Sequence, residues 1–105
     1  MKMVKVVTTV PMSHADQVRQ AAGNAGAGQS EKYSHASFSS KGIGRFLPQA
    51  DAHPAVGTIG QYEAVEEERI EWRCEHSQAK KIVEAIKNAH PYEEPVIDVY
   101  PLEDI

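Results

Sequence analysis

An imidazole and two carboxylates fall within five residues of one another at His90, Glu93 and Glu94. That pairing suits a zinc, copper or nickel ion, and His35 or Glu67 would complete the set from across a sheet. The candidate metal ligands are therefore His35, Glu67, His90 and Glu93, with a divalent metal ion as the candidate cofactor. The same residues have a reading without metal. A histidine in the last turn of a helix satisfies orphan carbonyls and favours the helix dipole, and Pro91 stops the helix there. Two ligands from one short turn do not close a metal site, which weights the segment towards structure.

Gly42-Ile43-Gly44-Arg45 follows a strand pattern but lacks the third glycine of a dinucleotide fingerprint, and no helical pattern comes after it. Gly42, Gly44 and Arg45 are candidates for a small anion-binding nest of backbone amides. A tight turn that admits a close chain approach explains the same glycines. Glu66, Glu67 and Glu68 read as a solvated charge run. Neighbours on a strand point to opposite faces, so only Glu66 and Glu68 could cooperate. Cys74 is the sole cysteine, which excludes an intramolecular disulfide and any CxxC motif; it reads as a small buried hydrophobe. No catalytic residue emerges from spacing.

The elements that must position these groups follow from hydrophobic period. Residues 2 to 10 are rich in β-branched side chains and place Val4, Val6 and Val10 on one face of a first strand. Ser13 is placed to cap a helix in which Ala15, Val18, Ala22 and Ala25 recur at helical spacing, until Ala25-Gly26-Ala27-Gly28 ends it. Residues 33 to 40 alternate as a second strand, with Ala36 and Phe38 together. From 41 to 60 come four glycines, two prolines and no sustained period, so a long loop is expected there.

Ile70, Trp72 and Cys74 alternate strictly with Glu71, Arg73 and Glu75, which makes residues 61 to 75 a strand. Carried backward, the apolar phase includes Glu66 and Glu68. Either a bulge shifts the register there, or that end of a long strand leaves the core. Ala79, Ile82, Val83 and Ile86 form the inner face of a second helix ending near Ala89. Residues 95 to 102 read as a fourth strand, with prolines at both ends that suit a sheet edge. The order βαββαβ predicts an α+β, ferredoxin-like fold: a four-stranded antiparallel sheet with two helices on one face.

With 105 residues the chain suits a single domain spanning 1–105. A hydrophobic share of 41% against 25% charged residues is ordinary for globular chains and argues against disorder. The net charge of -4 provides no positive field for nucleic acid or anionic lipid, so neither is expected as a partner. Met1-Lys2-Met3-Val4-Lys5 lacks the apolar run of a signal peptide, and the expected location is cytoplasmic.

Two blocks are more specific than pattern. One runs from Lys32 through Tyr33-Ser34-His35-Ala36-Ser37-Phe38 to Pro48 and continues with His53-Pro54-Ala55-Val56-Gly57; the other is Ala89-His90-Pro91-Tyr92-Glu93-Glu94-Pro95 through Leu102. With Ala25-Gly26-Ala27-Gly28 and the Glu67, Arg69 and Glu71 stretch, they resemble the domain inserted in bacterial members of the Nif-three-like family, the YqfO type, here standing alone. The His90-Pro91-Tyr92-Glu93 portion, followed by Pro95, is also similar to the helix-to-strand junction of CutA, the trimeric divalent-cation-tolerance protein.

Both resemblances imply a CutA/PII-like fold and a homotrimer in which the long loop occupies the position of the PII effector loop. The family's dinuclear metal site and its proposed cyclohydrolase-like activity belong to flanking domains, so the resemblance transfers no catalytic residue. Ala36 stands where the family often carries a cysteine. The leading expectation is a non-enzymatic oligomeric module that binds a metal ion or small effector near subunit interfaces. A protein-interaction or scaffold domain without a ligand is the alternative, and a metal-dependent hydrolase has the least support.

Overall fold

Alternation at the start of the chain sends Val4, Val6, Thr8 and Val10 of strand β1 (Met3–Pro11) to one face, where all four are shielded from water. The structure, a computed structural model, describes residues 2 to 105; Met1 lies outside them. A short 3-10 turn, Met12–His14, leads into helix α1 (Ala15–Asn24). The expected Ser13 cap does not form. The 3-10 turn begins directly after Pro11 and moves the capping position to His14, so the Ser13 hydroxyl bonds the His14 ring at 2.9 Å instead. Ala15, Val18 and Ala22 are buried as their spacing requires, and Gly26 and Gly28 end the helix with positive φ.

Strand β2 covers Phe38–Phe46, five residues beyond the start of the alternating stretch and into the glycine-rich region. The long loop expected at 41–60 is thereby displaced to 47–62, because Lys41 to Phe46 pair along the edge of strand β3 (Glu63–Glu75). Sheet pairing overrides the poor strand propensity of Gly42 and Gly44. Residues 33 to 37 alternate without being a strand. Ser30 N–H bonds Tyr33 O, His35 adopts φ 61°, and Gly28 N–H takes the Arg73 carbonyl that a strand would have used.

The register question in β3 has a plain answer. Pairing with β2 runs without a slip from Phe38 opposite Glu71 to Phe46 opposite Glu63, so there is no bulge. The strand simply outruns the helices: Glu68, the last acidic residue beneath them, is held by Arg19 of α1 at 2.9 Å, while Glu66 is exposed beyond. After a second 3-10 turn, His76–Gln78, helix α2 (Ala79–Ala89) buries Ala79, Ile82 and Ile86. Strand β4 (Ile97–Pro101) then pairs with β1 at the sheet edge, as its flanking prolines require.

The sheet order is β2-β3-β1-β4, antiparallel throughout. Both helices lie on the face carrying Val4, Val6, Val10, Ile70, Trp72 and Cys74, and together they enclose the core. The other face is open. It presents Lys5 bonded to Glu71 at 3.0 Å and Arg69 to Glu71 at 3.2 Å, with exposed Phe38 and Tyr100 at its margins. The molecule measures 47 × 23 × 21 Å because the β2–β3 hairpin projects past the helices. Among the described residues no helix is long and apolar enough to cross a membrane.

Candidate functional site

The junction from α2 to β4 begins where Pro91 cannot continue the helix, and His90 is driven into the structure there. It is 7% exposed, its Nε2–H donates to the Thr9 carbonyl at 2.8 Å, and its Nδ1 accepts from Tyr92 N–H at 3.1 Å. Those two bonds define the neutral ring with the proton on Nε2 and leave no lone pair for a metal. Burial lowers the pKa of His90, outweighing the opposing pull of the Thr9 carbonyl and the Glu67 charge, and so favours the same neutral form. The ring's work is to clamp the junction onto β1.

The clamp delivers Tyr92 across the end of the sheet to its open face. There the phenol donates to Glu67 Oε2 at 2.6 Å, and its ring meets Phe46 edge-on with centroids 5.7 Å apart. Burial, reinforced by the bond to Glu67, raises the pKa of Tyr92 far above that of a free phenol, so it remains a proton donor throughout the neutral range. Glu67 itself is 6% exposed. Gly44 makes its position available, since a Cβ at that glycine would overlap the Glu67 carboxylate.

Residues 47 to 62 roof this spot. Gly60 N–H bonds Pro48 O at 2.8 Å and closes the base of the loop, and His53 N–H donates to Glu93 Oε1 at 2.8 Å, tethering its middle to the α2–β4 junction. Between roof and sheet lies a cavity of about 650 Å³, floored by Thr9, Gly44 and Glu67 and walled by Phe46, Tyr92 and Val96. A space of that size accepts a small organic molecule.

The sequence-level candidates thus separate. Glu67 and Glu93 both line the cavity, and His90 stands beside it with its nitrogens engaged. His35 does not join them: it docks on the far end of α1, bonded to Asn24 at 2.9 Å and stacked over Gly23. Among the described residues no group of three or more His, Cys, Asp or Glu is arranged to hold a metal ion. The anion nest does not form either. Gly42, Gly44 and Arg45 are extended residues of β2 without positive φ, so their amides alternate in direction instead of converging. Tyr92 and Phe46 are the residues that spacing did not single out as site-forming, and Gly44 was singled out for an anion nest rather than for admitting Glu67. In the sequence Tyr92 stands only within the resemblance block, and the placing of Gly44 diagonally across from Glu67 depends on strand register.

An antiparallel βαββαβ sheet of this order, with both helices on one face, defines a CutA/PII-like domain. Its structure superimposes on the divalent cation tolerance protein CutA from Archaeoglobus fulgidus with a TM-score of 0.69 over 97% of this chain and 85% of that one, at 15% identity. By sequence the chain is a relative of the Nif-three-like proteins. It is 47% identical over 100 residues to a GTP cyclohydrolase 1 type 2 homologue of Halalkalibacterium halodurans, covering 95% of this chain and 27% of that protein. A Bacillus cereus protein related to NIF3 superimposes with a TM-score of 0.84 at 48% identity, over 98% of this chain and 26% of its own. The chain therefore spans about a quarter of the length of the relatives it matches. No protein-family model matches it.

Proposed function

We propose that this chain is a homotrimeric CutA/PII-like module that takes a small effector into the cavity above Glu67 and answers through the 47–62 loop. The observation that carries this reading is the cavity itself: a loop of sixteen residues is closed at its base and tethered through the His53 to Glu93 bond over a space with a buried carboxylate in its floor. An effector that displaces or strengthens that one tether changes the loop, and hence what the module presents to its surroundings.

Assembly is supported by the open sheet face and by the projecting hairpin, where Ile43 is 55% and Tyr62 75% exposed. Light scattering should give a mass near three times the 11.6 kDa of one chain, and a stable monomer at micromolar concentration would refute the trimer. The same apolar hairpin favours a second reading, a docking module for another protein. A monomer whose stability is unmoved by organic cations, metals and nucleotides in thermal-shift titrations supports that alternative.

A further inference from the structure

Glu67 is the anomaly of the cavity. Its Oε2 accepts from the neutral phenol of Tyr92, but among the described residues Oε1 receives no hydrogen bond and no Lys, Arg or His nitrogen lies within ion-pairing distance. Oε1 is not sealed from water, since among the described residues only the Trp72 indole N–H is buried without a partner; one oxygen of a mostly buried carboxylate that lines the cavity is thus left for a cation from outside the chain. Oε1 lies against Gly44, in the space that a Cβ at that position would fill. The cavity's remaining charges deepen the imbalance: Asp51, Glu93 and Glu94 join Glu67 against Arg45 alone.

That field repels phosphates and carboxylates. A metal ion lacks a third ligand, since both nitrogens of His90 are committed. The walls, in contrast, are apolar where Phe46, Leu47, Pro54, Val56 and Val96 meet the space. Resting on the effector reading above, we infer that the cavity binds a small organic cation, a protonated amine on an apolar body, whose ammonium group completes Glu67 Oε1 while the body packs on Phe46 and Val96. The ligand supplies the charge that the fold withholds, which is also what makes the site selective for cations over neutral isosteres.

Three probes of one shape test this by calorimetry and protein NMR on the full chain: phenethylamine, 2-phenylethanol and phenylacetate. The expected result is binding of the amine at least tenfold tighter than the alcohol, no binding of phenylacetate, and amide shifts centred on Gly44, Glu67 and Tyr92. Raising the salt concentration should weaken the amine and leave the alcohol unchanged. Glu67→Gln, which keeps an acceptor for Tyr92, should lose at least tenfold in amine affinity; the salt comparison on the unaltered chain decides the matter if that variant fails to fold. Equal binding of amine and alcohol, or binding of phenylacetate in the same cavity, overturns the cation inference and leaves the effector reading standing. Silence of all three probes overturns the cation inference, and the effector reading falls with it only if metals and nucleotides also leave the chain's melting temperature unmoved.

Discussion

His90 illustrates how burial decides a histidine's role. Its pKa is lowered by burial, so the folded protein resists protonation where the unfolded chain accepts it. The unfolded ring titrates near 6.5. Above that value both states are neutral and the difference vanishes; as pH falls through it, the unfolded state gains a proton that the folded state resists, and stability is lost. Urea midpoints measured from pH 7.5 to 5 should therefore fall more steeply for the unaltered protein than for His90→Gln, whose side chain does not titrate. Parallel curves would remove His90 from the acid response.

Trp72 carries a different cost at the same scale. It is 2% exposed and its Nε1–H is the one buried side-chain polar atom without a partner among the described residues. Removing an orphan donor recovers part of about 1–3 kcal/mol, which offsets some of the volume lost in Trp72→Phe. That variant is expected to lose less than about 1.5 kcal/mol, against about 3–5 kcal/mol for Trp72→Ala. Denaturant titration separates the two, and equal losses would show that the indole nitrogen is satisfied by water.

Between elements, the informative contacts are glycines that admit a neighbour. A mid-helix glycine replaced by alanine ordinarily stabilises by about 1 kcal/mol. Gly23, in the last turn of α1, should give no such gain, because the imidazole of His35 lies where its Cβ would be. Gly23→Ala is expected to give no gain in melting temperature and to break the His35 to Asn24 bond, visible as a change in the His35 ring resonances. A gain of a few degrees with those resonances unchanged would contradict the docking. The β2–β3 ladder teaches the complementary lesson. Its unbroken register puts Glu68 under α1 beside Arg19 and Glu67 on the opposite face beside Tyr92. Three consecutive glutamates thus meet three environments: solvent for Glu66, a buried phenol for Glu67 and a guanidinium for Glu68.

At the scale of the whole molecule the open face and the hairpin remain without a covering element. Val7 sits at the centre of that face between Glu71 and Asp98 in the register. Val7→Asp places a third acid there. In the proposed trimer it should shift the light-scattering mass towards that of a monomer while the circular dichroism spectrum is retained; an unchanged trimeric mass would move the interface elsewhere. Leu102 N–H bonds Met3 O, so the two ends of the fold lie side by side. Neighbouring ends let a domain sit within a longer chain without distortion, in keeping with relatives four times its length.

Hydrophobic period alone was enough for the element order, the inward faces of both helices, the edge position of β4 and the ferredoxin-like α+β class, because each of these depends on a local repeat of 2 or 3.6 residues, whereas the CutA/PII-like class came with the resemblances. The two resemblance blocks added the Nif-three-like relationship. Period could not place β2, whose glycines become a strand only because β3 is long enough to pair with them. Nor could it show that Glu67, in the middle of an apparently solvated charge run, is the buried floor of a cavity. That outcome required three distant segments, Gly44, Tyr92 and the 47–62 loop, to meet at one end of the sheet. Such a meeting is set by register and by the clamp of His90 on Thr9, and neither leaves a repeat in the sequence.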